Sequence, residues 1–188
     1  MAHCALRSIL GNLLGTTPAE VILESGVHRK PSLIRELNVN QWEFNMSRSG
    51  DRAIIAVTRR RRIGIDIELI TQGYDDLREV ATTFSTRELC KLDTMPREEA
   101  AQAFYRCWTR KEAFLKGIGI GILGQLNAFS VSVDPDKARL LHVEASLGQA
   151  DDWTFAVLDD QTHIPPYAAA LAVEGNGASI TSHNYACP

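Results

Sequence analysis

Ile63-Gly64-Ile65-Asp66-Ile67-Glu68-Leu69 alternates strictly, and this run constrains the chain more than any other. A period of two belongs to a β-strand, with Ile63, Ile65, Ile67 and Leu69 on one face and Gly64, Asp66 and Glu68 on the other. An unbroken isoleucine face calls for a core. The opposite face then presents two carboxylates whose Cα atoms lie about 6.5–7 Å apart, and these repel unless positive charge sits between them. Taken alone, an Asp-x-Glu pair reads as a solvated edge strand. The isoleucine face, and a glycine beside the pair that leaves room for a ligand to approach, turn this one toward a cation site.

A third carboxylate comes from a long helix. Pro96 suits its first position, and Gly117 is the expected stop after Lys116. Phe104, Trp108, Glu112 and Leu115 recur at three- and four-residue spacing and so share a stripe, flanked by Lys111 and Lys116. A glutamate buried unpaired among aromatic residues costs several kcal/mol. A surface pair between Glu112 and Lys116 would return only about 0.3–0.5 kcal/mol. Asp66, Glu68 and Glu112 together form an oxygen-only set suited to a hard cation. Magnesium keeps waters and takes substrate phosphates as its remaining ligands, so the set points to a phosphate-bearing substrate.

The rest of the chain mixes helices with antiparallel strands, an α+β pattern. Ala5–Leu14 has helical periodicity and ends at Gly15. Thr17-Pro18-Ala19-Glu20 and Ser85-Thr86-Arg87-Glu88 have the form of capping boxes. Val21–Leu23, Phe44–Ser47, Ala53–Thr58, Ile63–Ile70, Phe129–Val133, Arg139–Glu144, Trp153–Leu158 and Tyr167–Val173 read as strands. Ser49-Gly50-Asp51 and Arg59–Arg62 read as hairpin turns, His28-Arg29-Lys30-Pro31 as a basic loop, and the segment from Gly175 as a loose polar tail. Gly119-Ile120-Gly121-Ile122-Leu123-Gly124 matches a dinucleotide fingerprint in letters only, because a helix precedes it where a strand is required.

With 188 residues, 45% of them apolar, the chain can fill one core or two small lobes sharing one. A net charge of −3 argues against a general nucleic-acid binder. No apolar run approaches the ~20 residues that cross a bilayer, and the start does not read as a signal peptide. Four scattered cysteines at no metal-ligand spacing fit a reducing cytoplasm.

Three segments in this order resemble the 4'-phosphopantetheinyl transferase superfamily: Phe44-Asn45-Met46-Ser47-Arg48-Ser49-Gly50, Ile63 to Glu68, and Trp108-Thr109-Arg110-Lys111-Glu112-Ala113-Phe114-Leu115-Lys116. The resemblance is to the pseudo-dimeric type that activates nonribosomal peptide and polyketide synthase carrier proteins. It implies two similar α/β lobes related by pseudo-two-fold symmetry, residues 1–62 and 63–188, the first shortened at its N-terminus. Coenzyme A, the co-substrate, would lie between them. It further implies Mg2+ on Asp66, Glu68 and Glu112, and catalysis by Glu112 and Lys116. Lys30, Ser47, Arg48, Lys111 and Lys116 would contact coenzyme phosphates, and an acyl or peptidyl carrier protein would supply the acceptor serine. Arg48 stands where the family has histidine, which keeps a cation but removes a titrating group. A relative that binds coenzyme A or a carrier protein without turnover is the alternative expectation, and an unrelated magnesium-dependent phosphohydrolase a third.

Overall fold

Leu6 and Leu10, four residues apart on one helical face, are fully buried and fix the orientation of α1 (Ala2–Leu14). The computed structural model describes residues 1–26, 30–121, 126–158 and 167–185. Of the basic loop, His28 and Arg29 lie outside the described residues, as do Ile122 to Gly124 of the glycine-rich segment. Gly15, at φ 69°, closes α1 in the left-handed conformation that glycine adopts without a Cβ penalty. The helix packs on Val21, Leu33 and Phe44 to form a small core. Glu20 accepts from the Thr17 N–H (3.0 Å), but Thr17 Oγ1 donates to the same carboxylate, so only one arm of the expected capping box forms.

Two antiparallel pairs follow: β1 (Leu23–Ser25) with β2 (Pro31–Leu33), and β3 (Trp42–Ser49) with β4 (Arg52–Arg59). Gly50, at φ 55°, makes the tight β3–β4 turn. The alternation of β3 splits its residues by chemistry. Phe44 faces the α1 core, while Asn45, Ser47 and Ser49 face β5 (Ile63–Leu69). The expectation that Arg59–Arg62 is a hairpin turn is not met. β5 pairs with β9 (Tyr167–Glu174) rather than β4, so the arginines cross between two sheets. β5 forms an edge whose N–H groups are satisfied by side chains. Ile65 N–H donates to Asn45 Oδ1 (2.9 Å), and Leu69 N–H to Ser49 Oγ (3.0 Å).

The three-stranded sheet runs β5-β9-β8, with β8 at Trp153–Val157. Ile63, Ile65 and Ile67 bury one face with Ala169, Leu171 and Val173. Ala178 and Ile180 of the C-terminal segment pack partly buried on this core, so that segment is less loose than its composition suggests. On the other face, Ala168, Ala170 and Ala172 oppose Glu68, Asp66 and Gly64 in register and make a shallow floor. On that floor lies α4 (Arg97–Ile118), 22 residues long, with Pro96 at its N-cap. The remaining packing partners are α2 (Tyr74–Ala81), α3 (Thr86–Asp93), and the pair β6 (Phe129–Val131) with β7 (Leu140–Val143). Ser85 caps α3 with both arms of the capping box present.

Two glycines read differently in the structure. Helix α4 does not stop at Gly117; it continues to Ile118, and Gly119, at φ 77°, is the cap. Gly64 leaves room for the α4 backbone, not for a ligand. A Cβ there would stand 1.9 Å from Ala113 O and 2.4 Å from Gly117 N. Gly117 is small for the same reason, since its Cβ would meet the Trp153 ring at 2.8 Å. Gly64→Ala therefore has to push α4 off the sheet. It is expected to cost about 3 kcal/mol or more, a loss of roughly 6–12 °C in Tm. A melting curve within about 2 °C of wild type would contradict this packing.

Candidate active site

The close approach of α4 to β5 sets Glu112 and Lys116, four residues apart on the helix, against Asp66 and Glu68 on the strand. Asp66 is 2% exposed. Its Oδ1 accepts from Lys116 Nζ at 2.6 Å and from Ser47 Oγ at 2.8 Å, and Lys116 Nζ also donates to Ser47 Oγ at 3.1 Å. Glu68 accepts from Ser49 Oγ at 2.9 Å. Thus β3 contributes one hydroxyl to each strand carboxylate, at matching two-residue intervals.

The electrostatics are unbalanced in favour of negative charge. Glu112 is 3% exposed, and its carboxyl is pushed up to about 7, first by burial and then by the charges of Asp66 and Glu68; Lys116 opposes the shift. Burial also raises Asp66, against the pull of Lys116 and Ser47. The ion pair that Lys116 makes is with Asp66, across the helix–strand contact. Two buried carboxylate oxygens, Asp66 Oδ2 and Glu112 Oε1, have no hydrogen-bond partner among the described residues. Among the described residues no three His, Cys, Asp or Glu side chains already stand as a metal-holding group. The donor chemistry nonetheless fits a hard cation: only oxygens, two of them buried and unsatisfied, in a field that favours positive charge.

Two other sequence-predicted residues, Lys30 and Arg48, lie apart from this cluster. Lys30 donates to Ile63 O at 2.9 Å, at the start of β5. Its ammonium is lowered by burial, while Glu43 offsets part of that shift. Arg48 is exposed near the β3–β4 turn, on the strand face opposite Ser47. Ser47, expected at a phosphate, is buried and spends its hydroxyl on Asp66 and Lys116.

Lys111 is not brought to the cluster. It is 0% exposed, forms an ion pair with Glu88 at 2.8 Å, donates to Leu126 O and Phe129 O at 2.7 and 2.8 Å, and lies over the Phe129 ring. Glu88 in turn accepts from Val131 N–H at 2.7 Å while completing its capping box. This closed network ties α3, α4 and β6 together. Sequence reasoning missed Asn45 and Ser49, although the polar alternation Asn45-x-Ser47-x-Ser49 was there to be read.

The family model for the 4'-phosphopantetheinyl transferase superfamily matches residues 62–172, which include both glycines of the contact and all three carboxylates. The chain belongs to that superfamily. It is similar to the 4'-phosphopantetheinyl transferase HetI of Nostoc sp., with 35% identity over 92% of this chain and 68% of the relative. It is also similar to AcpT of Salmonella typhimurium, at 34% over 80% and 72%, and to psf-1 of Bacillus pumilus, at 32% over 76% and 59%. By that membership its activity is transfer of a 4'-phosphopantetheine group. No helix among the described residues is long and apolar enough to cross a membrane.

The site and the closed network predict opposite responses. A carboxyl raised on folding contributes no penalty below its free range near pH 4.5 and its full penalty above about pH 7. Glu112→Gln should therefore stabilise the metal-free protein at pH 8 by about 1 kcal/mol or more, about 2–4 °C in Tm, with no gain at pH 4.5. Lys111→Met leaves Glu88 charged and buried without its partner, so it should destabilise by about 3–5 kcal/mol. Thermal melts at the two pH values check both, and a Glu112→Gln variant less stable than wild type at pH 8 would contradict the assigned electrostatics.

Proposed function

We propose that the chain transfers the 4'-phosphopantetheine arm of coenzyme A to a serine of an acyl or peptidyl carrier protein, with Mg2+ held by Asp66, Glu68 and Glu112. The observation that carries this reading is the pair of orphaned buried oxygens, Asp66 Oδ2 and Glu112 Oε1, within a family that transfers phosphopantetheine. The relatives, themselves named as 4'-phosphopantetheinyl transferases, support the transfer. Mg2+ would neutralise phosphate charge there.

The serine Oγ forms a bond to the β-phosphorus of coenzyme A, the bond from that phosphorus to the bridging oxygen breaks, and 3',5'-ADP leaves. Glu112 accepts the serine proton, a role suited to a carboxyl held near neutrality by burial. Lys116 is the cation of the set that reaches the open side of the site. Its side chain is 29% exposed, against 3% for Asp66, so its ammonium can meet the charge that develops on the bridging oxygen. Ser47 orients Asp66 and Lys116 through its hydroxyl. Arg48 and Lys30 are assigned to the 3'-phosphate of the coenzyme. Lys111 is left out of the phosphate-binding set because its ammonium is buried against Glu88.

The same reading divides the chain into two lobes of pseudo-two-fold relation, residues 1–62 and 63–188, with the coenzyme at their seam. The seam is where β3 meets β5. A cytoplasmic location, where coenzyme A and carrier proteins meet, belongs to this proposal.

Incubation with coenzyme A, Mg2+ and an apo carrier protein tests the activity by mass. A gain of one phosphopantetheine arm is expected for wild type, and a loss of at least about 100-fold in rate for Asp66→Ala and Glu112→Ala. Coenzyme breakdown without carrier modification would indicate hydrolysis, and binding without either product would indicate a non-catalytic relative. Arg48→Ala should weaken coenzyme A by about tenfold or more while changing 3'-dephospho-coenzyme A little, read by competition binding. Equal losses for both ligands would remove Arg48 from the 3'-phosphate.

A further inference from the structure

The four consecutive arginines divide into two pairs. Arg59 is tied back, donating to Asn40 O and Asn40 Oδ1 at 3.0 and 2.8 Å and lying near the Trp42 ring. Arg62 is tied back as well, to Glu174 at 2.8 Å and over the Trp153 ring. Between them, the guanidiniums of Arg60 and Arg61 make no hydrogen bond or ion pair among the described residues, and neither does that of Arg35 on the segment before β3. All three line one groove of about 550 Å³. Its wall carries two carboxylates, Glu43 and Glu174, and Glu174 is already neutralised by Arg62.

The backbone around this groove is strained in one place only. Gln41 and Arg60, at φ 56° and 60°, are the only non-glycine residues with positive φ among the described residues. Both line the groove, and the Arg60 N–H bonds to Gln41 O at 2.8 Å. Neither is a residue type that favours the left-handed region, and such positions cost about 1–3 kcal/mol each and gather at ligand sites. Arg61 is half-buried, its guanidinium lying against Gly175, where a Cβ would come within 3.4 Å of Nη1. Three guanidiniums with no partner among the described residues thus border one space, Arg61 packed against Gly175 and Arg35 and Arg60 exposed, in a chain whose net charge is −3.

We propose that this groove is an anion site separate from the candidate active site, taking a phosphate or pyrophosphate group through Arg35, Arg60 and Arg61. Planar guanidiniums match phosphate oxygens in pairs, and charge-assisted bonds of this kind are the strong ones. The groove sits where β4 crosses to β5, away from the carboxylate cluster and at the far end of β3 from the turn that carries Arg48; of the residues assigned to the coenzyme, Lys30 is the one that borders it, as the electrostatic neighbour of Glu43 and Arg62. Free phosphates and the phosphates of a nucleotide share the chemistry that this site recognises.

The test is calorimetric titration of sodium pyrophosphate into the full chain at low ionic strength without divalent cation, repeated with adenosine 3',5'-bisphosphate. Wild type should saturate. The R60A/R61A double variant should bind pyrophosphate at least about tenfold more weakly, and Arg48→Ala should bind it as wild type does. Nucleotide binding tighter than pyrophosphate, with the same arginine dependence, would make the ligand a nucleotide; equal binding would make it free phosphate. No saturation up to about 10 mM in wild type would overturn the site. So would an unchanged double variant, or a loss confined to Arg48→Ala, which would place the binding in the coenzyme site and leave the proposed function standing. Should the double variant fail to melt cooperatively, Arg35→Gln, on a separate segment, is read by the same criteria.

Discussion

A missing side chain sets the geometry of this protein. Gly64 lets the backbone of α4 rest directly on β5, at a distance where any Cβ would overlap Ala113 O. The small floor of Ala168, Ala170 and Ala172 extends that contact across β9. A helix this close to a sheet has little room for side chains between them. Residues at the margin of the contact, Glu112 and Lys116 from above, Asp66 and Glu68 from below, are forced toward the same place. The charge cluster is thus a by-product of tight packing rather than of any single attractive pair.

Two lysines on the same helix show what that packing does to charge. Lys111 meets Glu88 in a fully closed setting, where every donor has a partner and nothing is exposed. A pair of this kind specifies structure, because removing either member strands the other. Lys116 meets Asp66 in a setting that is open on one side and short of donors, leaving two oxygens unsatisfied. Natural proteins seldom leave buried polar atoms orphaned without a use. The first network holds α4 in place, and the second works at the place where α4 is held.

Much of this was legible in the residues. The period-two pattern at Ile63 to Leu69 gave both faces of β5 correctly, because burial on each side leaves a chemical signature. The capping box at Ser85 was equally readable, since its four residues act locally. What could not be read was pairing at a distance. Nothing in Arg59–Arg62 says that β4 and β5 belong to different sheets, and a glycine beside two carboxylates looks the same whether a ligand or a helix will cover it. Lys111 was misplaced for a related reason: adjacent letters point about 100° apart on a helix, so a neighbour of Glu112 need not share its surroundings. The helix ran past Gly117 to Ile118 because that glycine answers to Trp153, not to the helix end.

The junction between β3 and β5 has a property that ordinary sheet edges lack. Where two strands share a backbone ladder, their union is nearly indifferent to sequence, since every residue but proline carries the same N–H and C=O. Here the union runs through the side chains of Asn45, Ser47 and Ser49. Its strength and register are therefore encoded in three letters and can be retuned one at a time. A lineage that needed a looser or tighter fit between these two parts of the molecule could reach it by single substitutions on β3, without dismantling either sheet.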